Sequence, residues 1–411
     1  MKKLIFSILL MIVLASCTAA PTVAPTAVFP TMSPSETPEA TATVTNTPVP
    51  PTATLVRPTG TATLTATPTL TATPSYPALG YGPTNFPTNI DPLTGKLVAN
   101  PELLNRRPVI VKVENLPREH RPQWGLSLAD IVYEYYTEMG GTRFASIFYG
   151  SDSEKVGPIR SARFFDFNVV RMYKSSFVFG SAYADLYAAL ANSEFYNRLI
   201  LEGTRWAGIF TRFEPNGPNI LQANTGQVAP ALAKYKIDNS RQNLDGMLFQ
   251  QQAPAKGGQD GKQVFARFSG GIYNRWDYDP ATGKYLRFSE TVDDVNRNNE
   301  KYAQLTDRQT SQPIAADNVV VLEVRYTQIK APPSEVWDMQ LLGEGKAWLA
   351  RDGQVYPVKW RRTKASDVLT LLNTDNTPIA FKPGQTWFEV LGLNSSVASK
   401  DGVWKFIHSM P

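Results

Sequence analysis

The chain has 411 residues, with 41 Lys and Arg against 36 Asp and Glu, two histidines and one cysteine. Setting aside Lys2, Lys3 and Arg57 with Glu36 and Glu39 leaves 38 basic and 34 acidic side chains from residue 86 onward. That balance of +4 argues against a nucleic-acid-binding face. A single thiol excludes an internal disulfide, and His120 and His408 are too few and too widely spaced for a His-rich zinc site, so no metal and no cofactor is expected.

Met1-Lys2-Lys3 supplies a positive start, and Leu4 to Leu14 is apolar except for Ser7 before the run ends in Leu14-Ala15-Ser16-Cys17. Small residues ahead of a cysteine are the pattern of lipoprotein processing. Residues 1–16 are therefore expected to be a signal peptide, and the Cys17 thiol to carry diacylglycerol. The apolar run falls short of the ~20 residues a membrane-crossing helix needs. The expected location is the extracytoplasmic face of the cell membrane, held by the lipid. With Cys17 lipidated, no thiol remains for catalysis.

Residues 17–85 are dominated by Thr, Pro, Ala and Ser, with near-repeats such as Thr61-Ala-Thr-Leu-Thr-Ala-Thr-Pro68. So few apolar side chains cannot offset the entropy of ordering, and the segment is expected to be a disordered stalk. The rest reads as an α+β protein: a mixed α/β subdomain at 86–256, then a mainly antiparallel β subdomain at 257–411. In the first, Val109–Val113, Ile131–Tyr136 and Arg143–Tyr149 are predicted strands, the last two forming a hairpin through Gly140-Gly141. Helices are predicted over Ser161–Lys174, where Phe165, Val169 and Met172 share a face, and over Ala182–Leu190 and Glu194–Leu201. Gln250–Lys262 reads as a boundary or mobile insertion. Beyond it come short alternating runs: Val264–Phe268, Ile272–Tyr278, Tyr285–Phe288, Asn318–Val324, Lys346–Ala350, Gln354–Trp360 and Thr386–Val390. Asp352-Gly353 is a hairpin turn between two of them.

Four stretches, Pro108-Val-Ile-Val-Lys-Val-Glu-Asn115, Arg121-Pro-Gln-Trp-Gly-Leu-Ser-Leu-Ala-Asp-Ile-Val-Tyr-Glu134, Gly141-Thr-Arg-Phe144 and Gly157-Pro-Ile-Arg-Ser-Ala-Arg163, resemble the N-terminal part of the YerB-like lipoproteins. Asn318-Val-Val-Val-Leu322, the Gly343-Glu-Gly345 region and Lys382-Pro-Gly-Gln-Thr-Trp387 are similar to the C-terminal part of that family. The resemblance spans most of residues 91–393. It implies a bipartite extracytoplasmic domain of unknown function behind a lipid anchor, and brings no activity with it. The family pattern has a histidine near Phe179 and another near Trp276; this chain has neither.

Candidate chemistry concentrates where Gly157-Pro-Ile-Arg-Ser-Ala-Arg163 runs into the predicted helix. Arginines at a helix N-terminus meet its partial positive charge and call for an anion. Arg160, Ser161 and Arg163 are therefore candidates for gripping a ligand carboxylate or phosphate, against an internal pairing with Glu134, Glu138 or Asp166. Arg143, just after Gly140-Gly141, is expected to point at the face of Glu134 and Glu138 as their natural partner. Asn115 and Arg121, in the loop after a buried strand, are further binding candidates; turn-making is their alternative role. Glu134 and Glu138 as an acid/base pair would stand roughly 13 Å apart along a strand, so a hydrolase would need a second acid from elsewhere. The aromatics Trp206, Trp276, Tyr278, Trp337, Trp348, Trp360 and Trp387 form either a glycan-stacking surface or core, and the alternating strands that hold most of them favour core. No catalytic residue is assigned. The first functional reading is non-enzymatic binding of an anionic envelope ligand or protein partner. The second is a carboxylate-dependent hydrolase acting on wall glycan or peptide, and the third an envelope scaffold without a small-molecule site.

Overall fold

The structure, a computed structural model, describes residues 76–213 and 220–410. The expected signal peptide, Cys17 and the stalk up to residue 75 lie outside the described residues.

Elements follow one another as β1 Val109–Glu114, β2 Ile131–Tyr136, β3 Thr142–Phe148, α1 Phe165–Tyr173, β4 Ser176–Val178, α2 Ala184–Ala191 and β5 Leu199–Ile200. Next come β6 Phe210–Arg212, β7 Leu221–Ala223, α3 Val228–Lys234, β8 Gln259–Asp260, β9 Gln263–Arg267, β10 Tyr273–Asp279 and β11 Lys284–Glu290. The chain continues through β12 Tyr302–Gln304, β13 Ala315–Ala316, β14 Asn318–Lys330, β15 Val336–Gln340, β16 Gly343–Arg351 and β17 Gln354–Arg362. It closes with β18 Thr370–Leu372, β19 Thr386–Gly392, β20 Ser396–Lys400 and β21 Val403–Ile407. The fold is β-rich with few helices.

A twelve-stranded sheet runs β18-β17-β16-β14-β19-β2-β3-β1-β4-β5, with β15 added to β14 and β8 to β17. A seven-stranded sheet runs β12-β11-β10-β9-β21-β20, with β13 on β11. The large sheet is mixed: β14, β19 and β2 are parallel neighbours, β3 is antiparallel to both β2 and β1, and β1, β4 and β5 are parallel again. Strands from both sides of residue 256 therefore pair directly, with β19 of the C-terminal stretch seated beside β2 of the N-terminal one.

All six residues of β1, β2 and all seven of β19 are buried, so these strands are covered on both faces. On one face, Tyr133 and Tyr135 pack against Phe165 of α1. On the other, Trp387 of β19 meets Trp276 of β10, which brings the second sheet against the first.

Several predicted elements move. The helix expected from Ser161 begins at Phe165, and residues 160–163 approach it without helical structure. The helix expected at Glu194–Leu201 is a 3-10 turn, Tyr196–Arg198, followed by β5, because Leu199 and Ile200 pair with Phe177 and Val178. Tertiary pairing overrides a local pattern that is short and ambiguous. Residues 76–85, read as stalk from composition, pack onto the folded unit: Tyr81 and Phe249 exchange both backbone hydrogen bonds, at 2.9 and 2.8 Å. The Gln250–Lys262 stretch is tied down as well, since Arg351 donates to the carbonyls of Gln250 and Gln251 at 3.1 and 3.0 Å and β8 pairs with β17.

Candidate functional site

Side chains alternate across a strand, so the residues of β1 to β3 divide between the α1 face and the second-sheet face. Lys112 and Glu114 of β1, Tyr135 of β2 and Arg143 of β3 project toward α1. Glu134 of β2, Thr142 and Phe144 of β3 and Asn115 beyond β1 project toward the second sheet. This division separates the seven sequence candidates into two groups.

The α1-face group holds Arg143, Arg160, Ser161 and Arg163, and each arginine has an acid within the chain. Arg160 Nε bonds Glu114, whose other oxygen lies 2.5 Å from His120 Nδ1. Arg163 Nε donates to Glu138 Oε2 at 2.6 Å, and Arg143 Nη2 to Glu138 Oε1 at 3.0 Å. Arg143 Nη1 also donates to the Ser161 carbonyl at 2.7 Å, and the Ser161 and Ser181 hydroxyls share a bond of 2.8 Å. Deeper in, Lys112 contacts Tyr135 and reaches Asp166 Oδ1 at 3.2 Å. The Arg163 N–H donates to Asp166 Oδ2 at 2.7 Å. The expected anion at a helix end is thus replaced by the protein's own carboxylates. Arg160 and Ser161 lie ahead of the helix, not in its first turn.

The electrostatics follow from burial and crowding. Burial would raise the Glu138 carboxyl, but the bonds from Arg163 and the charges of Arg143 and Arg163 hold it below its ordinary value. Burial raises the Glu114 carboxyl against the pull of Arg160 and His120. The Lys112 ammonium is brought down to about 7, chiefly by burial, with Asp166 opposing and Arg143 and Arg163 adding repulsion. The Arg143 guanidinium is drawn down to about 10 by burial and by Arg163. Four cations, Lys112, Arg143, Arg160 and Arg163, meet three carboxylates, Glu114, Glu138 and Asp166. Beside them opens a groove of about 540 Å³ whose charged and hydroxyl lining is Arg163, Lys330, Glu138, Asp185, Glu335, Ser161 and Ser181, with Lys330 paired to Asp185 and Glu335 bonded to the Tyr136 hydroxyl and the Met139 N–H.

The second group holds Asn115, Arg121 and Glu134, sealed between the sheets. Glu134 is fully buried; its Oε1 accepts from Asn115 Nδ2 at 3.0 Å and the Thr142 hydroxyl at 2.7 Å, and its Oε2 from Arg287 Nη2 at 2.6 Å. Arg287 Nη1 reaches Glu389 Oε1 at 3.1 Å, which also accepts from Trp276 Nε1 at 2.8 Å. Asn274 Nδ2 lies 3.2 Å from Glu134 Oε2 and 3.2 Å from Glu389 Oε2. The Arg287 guanidinium stands 4.6 Å from the Trp387 ring centroid and 5.2 Å from that of Trp276. Two carboxylates share one guanidinium in the buried interior. Burial, then the charge of Glu134, pushes the Glu389 carboxyl up to about 8. Arg121 donates to Asn115 Oδ1 and Glu290 Oε1, both at 2.7 Å.

Arg143 therefore partners Glu138 and not Glu134, and Glu134 and Glu138 belong to different clusters. Sequence reading missed Glu389, Arg287 and Asn274 in the interior, Lys112 buried beneath the arginines, and Ser181 and Lys330 around the groove. A charged residue inside Trp387-Phe-Glu-Val-Leu391 or Val109-Ile-Val-Lys-Val113 was the available signal, since a buried strand carries a charge only where a partner waits. The aromatic surface is mostly core: Trp276, Trp337, Trp360 and Trp387 are buried.

The chain matches the family described as protein of unknown function (DUF3048), its N-terminal domain over residues 93–238 and its C-terminal domain over residues 264–388. It is similar to YerB of Bacillus subtilis (strain 168), a candidate lipoprotein by its name, with 29% identity over 315 residues that cover 75% of this chain and 88% of the relative. It is also similar to the crystal structure of the Bacillus subtilis YerB protein, with a TM-score of 0.61 and 26% identity, covering 74% of this chain and 96% of that one. Among the described residues, no helix is long and apolar enough to cross a membrane.

Proposed function

The chain belongs to the YerB-like DUF3048 family, with both of its domains, and on that footing we propose that it is a lipid-anchored extracytoplasmic binding protein for an anionic envelope ligand. In this reading Cys17 carries the anchor and the stalk holds the folded part away from the membrane. One observation carries the ligand assignment: Arg143 and Arg163 share the single carboxylate of Glu138 at the rim of an open groove that also presents the Ser161 and Ser181 hydroxyls. A guanidinium that shares its acid keeps donors for an arriving carboxylate or phosphate.

The hydrolase alternative loses its support. Glu134 does find a second acid, Glu389, yet both carboxyls are fully buried between the sheets, where no glycan or peptide reaches them. A catalytic acid must stand within hydrogen-bond reach of its substrate.

The test is binding of purified anionic wall polymer to the full-length lipidated chain. Arg160→Ala combined with Arg163→Ala is expected to weaken binding by about tenfold or more, as for the loss of charged hydrogen bonds. A double variant that keeps the wild-type melting temperature and the wild-type affinity refutes the site. Because Lys112 gains its proton as pH falls through about 7, the cluster becomes more positive there, and affinity is expected to rise from pH 8 to pH 6.

A further inference from the structure

A second cleft, apart from the arginine groove, lies at the carboxyl ends of two parallel strands. The β4-α2-β5 segment is a parallel βαβ unit at the edge of the large sheet. Phe179 follows β4, Leu201 to Arg205 follow β5, and with Tyr187 of α2, Tyr196 and Trp206 they line a cavity of about 410 Å³. That volume falls within the ordinary range of small-ligand sites, roughly 300 to 1,000 Å³.

The chemistry of the lining selects the ligand. Tyr187 and Tyr196 are 47% and 63% exposed, far more than tyrosines that complete a core, and their hydroxyls make no hydrogen bond among the described residues. The two charges at the rim are already engaged. Glu202 pairs with Arg212, while the Arg205 guanidinium lies 4.9 Å from the Trp206 ring centroid and 5.0 Å from that of Tyr235. With both engaged, the rim offers no free counter-charge to a charged ligand. A purely apolar ligand would strip water from Glu202, Thr204 and Arg205 without replacing their hydrogen bonds. What remains is an uncharged molecule with apolar C–H faces and a rim of hydroxyls. Gly203 adds room at the strand end, since a Cβ placed there would meet nothing within 4 Å.

We infer that this cleft binds a neutral oligosaccharide, with pyranose faces against Tyr187 and Tyr196 and ring hydroxyls toward Glu202, Thr204 and Arg205. Each sugar face laid against an aromatic ring adds a weak increment of attraction. Affinity therefore grows with the number of sugar rings engaged.

The experiment is calorimetric titration of the full-length chain in detergent micelles with the N-acetylglucosamine tetramer, cellotetraose and maltotetraose. At least one tetramer is expected to bind saturably, with affinity about 2- to 10-fold lower in each of Tyr187→Ala and Tyr196→Ala. Ala191→Trp, which fills the cleft from an exposed helix position and leaves the tyrosines in place, is expected to abolish binding. The Arg160→Ala, Arg163→Ala variant should bind the tetramer as wild type does, which separates this site from the arginine groove. Absence of saturable binding up to about 10 mM for all three sugars overturns the inference, that being near the weak limit of specific recognition. So does binding that survives Ala191→Trp, or that is lost with the arginine pair.

Discussion

At the scale of single residues, the most consequential side chains are three buried charged groups, Glu134, Arg287 and Glu389, of which the sequence singled out only the first. Separating a buried guanidinium from two buried carboxylates leaves charge without solvent, so Arg287→Met is expected to destabilise the fold by about 3 to 5 kcal/mol, read from urea denaturation. Glu389→Gln should act in the other direction at high pH. The Glu389 carboxyl is raised from 4.5 to about 8 in the folded chain, so between those values the folded state holds a proton that the unfolded state lacks. Its contribution is fullest below pH 4.5 and declines as pH rises through 8. Relative to wild type, the glutamine variant should therefore gain melting temperature from pH 5 to about pH 8 and level off toward pH 9. A constant difference across that range would contradict the assignment. His408, lowered to about 4 by burial, has the opposite slope and costs stability as pH falls from 6.5, but it is common to both proteins and cancels in the comparison.

At the scale of elements, local chemistry was most legible where a turn dictates its own residues. Asp352 and Gly353 both adopt positive φ, 53° and 74°, the conformation a two-residue hairpin between twisted strands requires, and β16 and β17 pair across them in full register. Gly353 is also close to the Tyr278 ring, where an added Cβ would come within 2.8 Å. Gly353→Val is thus expected to cost about 1 to 3 kcal/mol through backbone strain and collision together, measured as a shift in denaturation midpoint. Elements without such a signature were harder to read. The second half of β14, exposed at Arg325 and from Thr327 to Lys330, has no apolar alternation to mark it as strand; its pairing with β15 gives it that form. α1 was placed correctly by Phe165, Val169 and Met172, yet its start was set four residues too early, because Ser161 resembles a cap while the chain there is committed to bonds with β1 and Gly180.

At the scale of the whole folded unit, the central strand is the one that arrives late in the sequence. β19 lies between β14 and β2, so the large sheet is incomplete until residue 392 has joined it. Fragments 76–256 and 257–410 expressed separately are expected to lack dispersed amide spectra and to recover them when combined. A folded 76–256 fragment would count against that dependence. The sequence by itself determined what depends on neighbours along the chain: the lipoprotein start and the stalk composition as expectations, most strand positions, the hairpin turn, and the family resemblance. Tertiary structure alone decided which charges meet. Of the two glutamates expected to share Arg143, only Glu138 meets it, while Glu134 is held by Asn274 and Arg287, because a sheet brings together side chains more than a hundred positions apart. Once buried, those groups must neutralise one another wherever the chain delivers them.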